Sequence, residues 1–190
     1  MRQRRAELTL GILALLALAT NLAWHIAHGR WFDCFWVCNA ATLLAGLGLL
    51  FRSPLLSTAA FVWVVPGTLA WATEALVFGS DFSPPSYLLH ISGFVAALYG
   101  VRSLGAHPAG YLGGLGLFGV LLLLCRALPA EANVNCAFAP RASWKAVWAT
   151  IELPHYLTTA LLALGVCWSM NRLALSWPTW ARSRSRDPRP

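Results

Sequence analysis

The run LTLGILALLALATNLAWHIA, residues 8–27, decides the fold of this chain. An α-helix of this length, rising 1.5 Å per residue, covers the roughly 30 Å of a bilayer's hydrocarbon core. The run ends in polar sequence at His25 and His28, and no small-residue cleavage site precedes that sequence. It is therefore predicted to be a retained transmembrane helix and not a signal peptide.

The composition of the whole chain gives the same indication. Of its 190 residues, 58% are hydrophobic and 11% are charged, whereas a soluble domain carries roughly a quarter charged residues. The net charge of +7 could indicate a nucleic-acid partner. The basic residues, however, lie at the tips of apolar segments and in the tail, which is typical of membrane topology. We expect membrane lipids as partners, no nucleic acid and no cofactor.

Six apolar segments are candidates for membrane spans. Their connections are brief except for residues 127–145, so neighbours in sequence should pack as antiparallel neighbours. The sequence predicts an all-α, polytopic bundle of about six transmembrane helices in the cell membrane, formed by residues 1–173. Residues 174–190 are predicted to be a basic, disordered cytoplasmic tail. The predicted spans are residues 8–28, 31–51, 55–78, 86–101, 109–126 and 146–171.

The arginine and lysine residues predict the orientation. With the N-terminus inside, ten of the 14 basic residues fall on the cytoplasmic side and four on the other side. Because cytoplasmic loops carry the excess of basic residues, both termini are predicted to be cytoplasmic. Tryptophans close to segment ends, among them Trp24, Trp36 and Trp71, are expected in the interfacial belts.

Polar and ionisable side chains are predicted to gather at one side of the membrane. Such groups are costly in lipid and must face the bundle interior or the interface. In the six-span topology they fall toward the extracytoplasmic side, with Cys38, Glu74, His90 and Glu152 roughly 5–10 Å below its boundary. The cytoplasmic half has almost nothing comparable beyond flanking arginines. The other members of the set are His25, His28, Asp33, Cys34, Asn39, Asn133, Asn135, Cys136 and His155.

A thiol and an imidazole in this set have the elements of a nucleophilic dyad. His90 would take the proton of the Cys38 thiol, and Glu74 or Glu152 could orient the imidazole. A sulfur nucleophile at headgroup depth suits attack on a lipid ester carbonyl. A purely structural interpretation is also open, because cysteine is a common small packing residue and a histidine near an interface often only reaches water.

A metal site is an alternative use of the same polar set. His25 and His28 form one i,i+3 pair, and Glu152 and His155 form another, so each pair places two ligands on one helical face. Asp33 and Glu74 could complete the shell with carboxylates. Patterns of two residues also arise by chance, and histidines at the end of a helix can simply anchor it at the interface.

A disulfide is a third use of these residues. If the outer side is oxidising, Cys136 could pair with Cys34 or Cys38 and staple the long loop. Cys34 and Cys38 would be four helical positions apart, which rarely suits bridge geometry. A bridge to Cys38 would remove the thiol nucleophile, and the sequence leaves the pairing open.

Four glycines give the fifth segment a small face, Gly113, Gly114, Gly116 and Gly119. Small residues let helix backbones approach closely inside a membrane. The Gly113–Gly119 face is therefore expected to pack against another helix, either in this chain or in a membrane-protein partner.

Several stretches resemble the YwaF-type integral membrane protein family. Residues 36–52, with Cys38 and Asn39 before a Leu/Gly-rich run, are similar to that family's second conserved span. Residues 61–71, residues 87–94 around His90 and residues 133–138 around Asn135 also resemble it, whereas Asp33 departs from its pattern. The resemblance implies a distant relation to membrane hydrolases and acyltransferases, with Cys38 as the nucleophile and His90 as the base.

The leading hypothesis is a lipid-ester hydrolase or acyltransferase with a Cys38–His90 site in the outer-leaflet half of the bundle. Asn39 and Asn135 are the candidate oxyanion donors. The rival hypothesis is a non-catalytic subunit of a larger membrane complex that binds lipid or pigment.

Overall fold

The computed structural model describes residues 2–79, 82–130, 132–137 and 154–177, apart from the Cys136 side chain. All secondary structure in these ranges is helical, which confirms the predicted all-α class. Two 3-10 turns, Trp31–Phe35 and Val134–Cys136, accompany six α-helices. The helices are α1 (Arg2–Ala27), α2 (Val37–Leu50), α3 (Pro54–Val77), α4 (Pro84–Leu104), α5 (Gly110–Arg126) and α6 (His155–Ser176).

Helices α3, α4 and α5 begin and end close to their predicted positions, but α2 does not. It begins at Val37 and not at residue 31, because residues 31–35 close a 3-10 turn and Trp36 then adopts φ −58° and ψ 137°. Helix α6 continues to Ser176, past the predicted start of the tail. Residues 146–153 of the last predicted span and residues 178–190 of the tail lie outside the described residues.

The described helices bury many small side chains and expose many large apolar ones. Ala45 and Ala60 in the core are fully buried, while Leu16, Leu76 and Leu123 are 58%, 85% and 74% exposed. The core of a water-soluble protein would bury such leucines, whereas lipid solvates them. Small residues inside a membrane bundle allow helices to pack closely. This distribution of side chains is the one expected of a bundle surrounded by lipid.

Three helices in the described part of the chain, α1, α3 and α4, are long and apolar enough to cross a membrane. Helices α2 and α5 are apolar but shorter, with 14 and 17 residues. The chain is therefore a helical membrane protein. The predicted number of six spans goes beyond these three helices and stays a prediction.

Helix α2 lies at the centre of helices α1 to α4. It contacts α1, α3 and α4, while α5 and α6 pack against α3 and each other. A Cβ atom on Gly46 would lie 3.1 Å from the carbonyl oxygen of Gly11 in α1, and one on Gly48 would lie 2.9 Å from the backbone nitrogen of Ser57 in α3. The backbones of neighbouring helices are in contact at these glycines, and larger residues would separate them.

The end of the bundle that holds the start of α1 is more polar than predicted. Glu7 is fully buried there, with a carboxylate oxygen 3.1 Å from Nε of Arg52 and 3.6 Å from Nη1 of Arg4. Arg4 also donates to the carbonyl oxygens of the last two residues of α2, at 3.3 and 3.1 Å. A buried carboxylate needs such partners, and here they tie α1 to the end of α2.

The end of α6 lies on this same side. Asn171 donates to the carbonyl oxygen of Pro108 between α4 and α5, at 3.1 Å. The guanidinium of Arg102 in α4 lies 5.6 Å from the ring centroid of Trp177. The first and last described residues are therefore on one side of the bundle.

The glycines of α5 divide between two surfaces. A Cβ atom on Gly113 would lie 3.1 Å from that of Ala59, and one on Gly114 would contact Val62, both in α3. Gly116 and Gly119 have no described atom within 4 Å of such a Cβ. Gly113 and Gly114 therefore pack within the chain. Gly116 and Gly119 lie on an open surface, and the contact of this surface with a partner helix stays a prediction.

Replacing Gly48 by alanine should destabilise the fold, because its Cβ would lie 2.6 Å from Oγ of Ser57. Overpacking of this kind costs about 1–3 kcal/mol. The matched control is Gly116→Ala, at an open helical position, where alanine should be neutral or stabilise by up to about 1 kcal/mol. Thermal unfolding of the detergent-purified protein measures both variants, and equal melting temperatures would contradict this packing.

Candidate functional site

A cavity of about 400 Å³ lies in the half of the bundle away from the start of α1. Helices α1 to α5 and both 3-10 turns contribute to its walls. The structure brings five of the predicted site residues together around this cavity. They are Cys38, Asn39, Glu74, His90 and Asn135. Their common location is a finding, and their catalytic roles stay predictions.

Three of the four residues predicted as alternative metal ligands lie in the described ranges, and these three do not form one group. His25 lines the cavity, whereas His28 is exposed, with Nδ1 2.8 Å from the carbonyl oxygen of Trp24. Glu152 lies outside the described residues, and His155 begins α6. Within the ranges that the structure describes, no group of three or more His, Cys, Asp or Glu side chains is placed to hold a metal ion.

His90 is held in place by two contacts. Its Nδ1 lies 2.8 Å from the backbone carbonyl oxygen of Ser86, one helical turn earlier. Because a carbonyl oxygen only accepts, Nδ1 carries the proton and Nε2 keeps its lone pair. The indole of Trp71 stacks on the imidazole, with ring centroids 4.6 Å apart and planes inclined by 10°. Ser86 and Trp71 thus orient the ring, a task that the sequence analysis gave to Glu74 or Glu152.

Cys38 is the second residue of α2, where the helix dipole is positive. Helix α3 leaves room for its thiol, because a Cβ atom on Gly67 would lie only 2.9 Å from Cys38 Sγ. The thiol and His90 line the same cavity, but the hydrogen bonds of the imidazole go to Ser86. Among the described side chains, no hydrogen bond joins the Cys38 thiol to the His90 imidazole.

The neighbouring thiol of Cys34 is in a different environment. Cys34 lies in the first 3-10 turn and does not line the cavity, and burial together with the negative charge of Asp33 raises the pKa of its thiol. Cys34 and Cys38 are both free cysteines. The predicted bridging partner, Cys136, has its side chain outside the described atoms.

The amide of Asn39 holds the start of α2 against α1. Its Nδ2 donates to the carbonyl oxygens of Asp33 and Cys34, at 2.9 and 3.2 Å. Its Oδ1 accepts from Nδ2 of Asn21 at 3.0 Å. Both amide hydrogens are therefore in use inside the fold, and the predicted oxyanion role of Asn39 would require breaking one of these bonds.

Asn135 fastens the loop after α5 to the start of α2. Its Nδ2 donates to the carbonyl oxygen of Phe35 at 2.8 Å and to Sγ of Cys125 at 3.4 Å. Its Oδ1 accepts from the backbone nitrogen of Val37 at 2.8 Å, which caps α2. The predicted oxyanion donor therefore has a structural task, because both of its amide hydrogens already have acceptors.

The carboxylate of Asp33 lies in the cavity wall and is neutralised by Arg30. Its Oδ2 lies 2.6 Å from Nη2 and 2.7 Å from Nε of Arg30, and its Oδ1 accepts from Nε1 of Trp36 at 3.0 Å. His25 Nδ1 lies 3.6 Å from the same carboxylate. This two-point contact with arginine fixes the first 3-10 turn over the cavity.

Asn21, Ser86 and Trp71 are among the cavity residues that were not predicted from the sequence to belong to the site. Asn21 interrupts the apolar run of α1 and is four residues before His25, so the cost of an amide inside a span was an available signal. Trp71 was predicted to lie in the interfacial belt, and its place in the cavity wall against His90 was not predicted. No sequence pattern distinguishes these two positions for a tryptophan.

Replacing Asn135 by leucine should expose the Cys125 thiol, which is fully buried under the clamped loop. Maleimide labelling of Cys125, located by peptide mass spectrometry, should become at least about tenfold faster, since losing a buried hydrogen-bonding group costs about 1–3 kcal/mol. Asn171→Leu at the other end of the bundle controls for general destabilisation. Equal protection of Cys125 in both variants would show that Asn135 does not clamp the loop.

No family model, curated protein or solved structure matches the chain. The reactive groups of the candidate site are those that line the cavity. They are a thiol at a helix start, an imidazole of fixed tautomer and a buried carboxylate beside apolar walls.

Proposed function

We propose that this protein is a multi-pass cell-membrane enzyme that hydrolyses or transfers the acyl group of a lipid ester, with Cys38 as the nucleophile and His90 as the base. The observation that carries the proposal is the shared cavity, which holds the Cys38 thiol and the His90 imidazole. Ser86 keeps the proton on Nδ1, so the lone pair of Nε2 is available to accept another. The YwaF-type resemblance implies the same two residues in the same roles.

The distribution of arginines supports the multi-pass topology and the cytoplasmic termini. Helix ends on the side of the described termini carry six arginines, and the opposite side carries Arg30 and Arg126. An excess of basic residues is typical of the cytoplasmic face, so the cavity would open toward the outer leaflet. The six arginines are Arg2, Arg4, Arg5, Arg52, Arg102 and Arg172.

The cavity walls suit an amphipathic substrate. Leu89 and Phe118 provide apolar surface, and polar groups converge on one volume between the helices. The acyl chain of a lipid would contact the apolar surface, and its glycerol ester would contact the polar groups. Membrane lipids carry both parts and are present in the surrounding bilayer. Lipids are therefore the proposed substrates and the main partners of the chain.

In the proposed reaction, His90 takes the thiol proton as Cys38 sulfur attacks the acyl carbonyl carbon. The tetrahedral adduct then breaks the ester C–O bond, and His90 returns the proton to the departing alcohol. A thioester remains on Cys38. Water or a second lipid hydroxyl attacks this thioester and passes its proton through His90 to the departing sulfur. Water yields a free acid, and a lipid hydroxyl yields a new ester.

Glu74 is the carboxylate that we propose beside this reaction. It is buried, lines the same cavity, and lies three residues after the Trp71 that stacks on His90. Its negative charge would stabilise the imidazolium that forms when His90 accepts the thiol proton. Glu152 is proposed for the same task on the sequence alone.

The test is turnover of phosphatidylcholine with a fluorescent acyl chain, in detergent micelles, with and without added lysophospholipid as acyl acceptor. The wild-type protein should release or transfer the labelled acyl group. Cys38→Ala and His90→Ala should each lower the rate at least about 100-fold, because each removes a group that acts on the reacting bond.

The matched control is Cys34→Ala, which removes the neighbouring thiol outside the cavity and should keep the wild-type rate. An unchanged rate in Cys38→Ala would refute the proposed nucleophile. Lipid that co-purifies with the protein but is never turned over would instead favour the non-catalytic, lipid-binding function.

A further inference from the structure

Nucleophilic attack on an ester needs a hydrogen-bond donor for the carbonyl oxygen, which becomes negatively charged. Two of the three side-chain amides that line the cavity, those of Asn39 and Asn135, do not supply one, because each spends both of its hydrogens inside the fold. Asn39 donates to two backbone carbonyls, and Asn135 donates to a carbonyl and a sulfur. The third, Asn21, donates to Oδ1 of Asn39. A donor for this task has to come from another cavity residue.

The indole of Trp71 has such a donor. Its Nε1 is buried and has no acceptor among the described residues. The indoles of Trp36 and Trp63 differ, since they donate to the Asp33 carboxylate and to the Gly114 carbonyl oxygen, at 3.0 and 2.8 Å. A buried donor without an acceptor costs about 1–3 kcal/mol, so the free N–H of Trp71 needs an explanation.

The position of Trp71 in the site supplies that explanation. Its ring stacks on His90 at 4.6 Å. It lies four residues after Gly67, which makes room for the Cys38 thiol, so Trp71 and Gly67 share one face of α3. The same wall residue thus adjoins the proposed base and lies one helical turn from the contact with the proposed nucleophile.

The aromatic surroundings of Trp71 fix the indole. Tyr87 meets it edge-on, with centroids 5.0 Å apart, and Phe82 lies 5.5 Å away at an angle of 49°. With His90 on its face, the ring is held by three neighbours. A donor held in this way needs little reorganisation during a reaction, which is the condition for strong electrostatic catalysis.

We propose that Trp71 is a catalytic residue whose indole N–H donates to the carbonyl oxygen of the acyl ester; this inference rests on the proposed function. As the bond from Cys38 sulfur to carbon forms, the π electron pair of the carbonyl moves onto oxygen. The hydrogen bond from the indole N–H to that oxygen then becomes stronger. As the alcohol departs, the pair returns and the carbonyl of the thioester is restored. The interaction is strongest in the tetrahedral state, so it acts mainly on kcat.

The experiment compares the fluorescent phosphatidylcholine kinetics of wild-type protein, Trp71→Phe and Trp63→Phe. Trp71→Phe keeps an aromatic ring against His90 and removes the N–H, so kcat should fall about 100-fold with little change in KM. Trp63→Phe removes an indole N–H that serves packing between α3 and α5, so it should lower the melting temperature and keep kcat within about threefold.

A second replacement protects the test from a folding failure. Benzothienylalanine at position 71 has the shape of tryptophan with sulfur in place of N–H, and should lower kcat as Trp71→Phe does. Either variant with wild-type kcat would overturn the role of Trp71, and so would a loss that appears in KM alone. If Cys38→Ala is inactive in the same assay, the proposed function stands while this inference falls; absence of wild-type turnover would overturn both.

Discussion

The backbone contacts at the glycines of α2 are the constraint on which the rest of the structure depends. They let α1, α3 and α4 surround one short central helix, with Gly46 against Gly11 and Gly48 against Ser57. Lipid cannot drive this association by the hydrophobic effect, because it solvates leucine as well as the core does, so close packing has to supply the stability. Many large apolar residues accordingly lie outside, and alanines make up much of the buried core.

The central position of α2 also determines where the chemistry lies. Its last carbonyls receive Arg4 beside the buried Glu7, and its first turn carries Cys38 into the cavity. The helix is only 14 residues long because a 3-10 turn replaces the start of the predicted span. The cavity lies beside the first turn of this shortened helix, against α3 and α4.

The order of the helices and the meeting of Cys38, Glu74 and His90 could be predicted, because both follow from apolar run lengths and from the cost of polar groups in lipid. The residue at which α2 begins could not be predicted, because it depends on Asn135. This residue lies 98 positions along the chain from Val37, whose backbone nitrogen it caps. The acceptor of each side-chain N–H could not be predicted either. Whether an amide or an indole has a free N–H depends on tertiary contacts, and the spacing of residues in the sequence does not give these.

The proposed reaction requires the Cys38 thiol to carry the acyl group of a lipid ester. Mass spectrometry of the protein quenched in acid after brief incubation with phosphatidylcholine tests it most directly, because a thioester survives acid and is cleaved by neutral hydroxylamine. We predict an acyl mass on the peptide that contains Cys38, removed by hydroxylamine and absent from Cys38→Ser. An acyl group on another residue, or a Cys38 peptide that stays unmodified while lipid is turned over, would contradict the account.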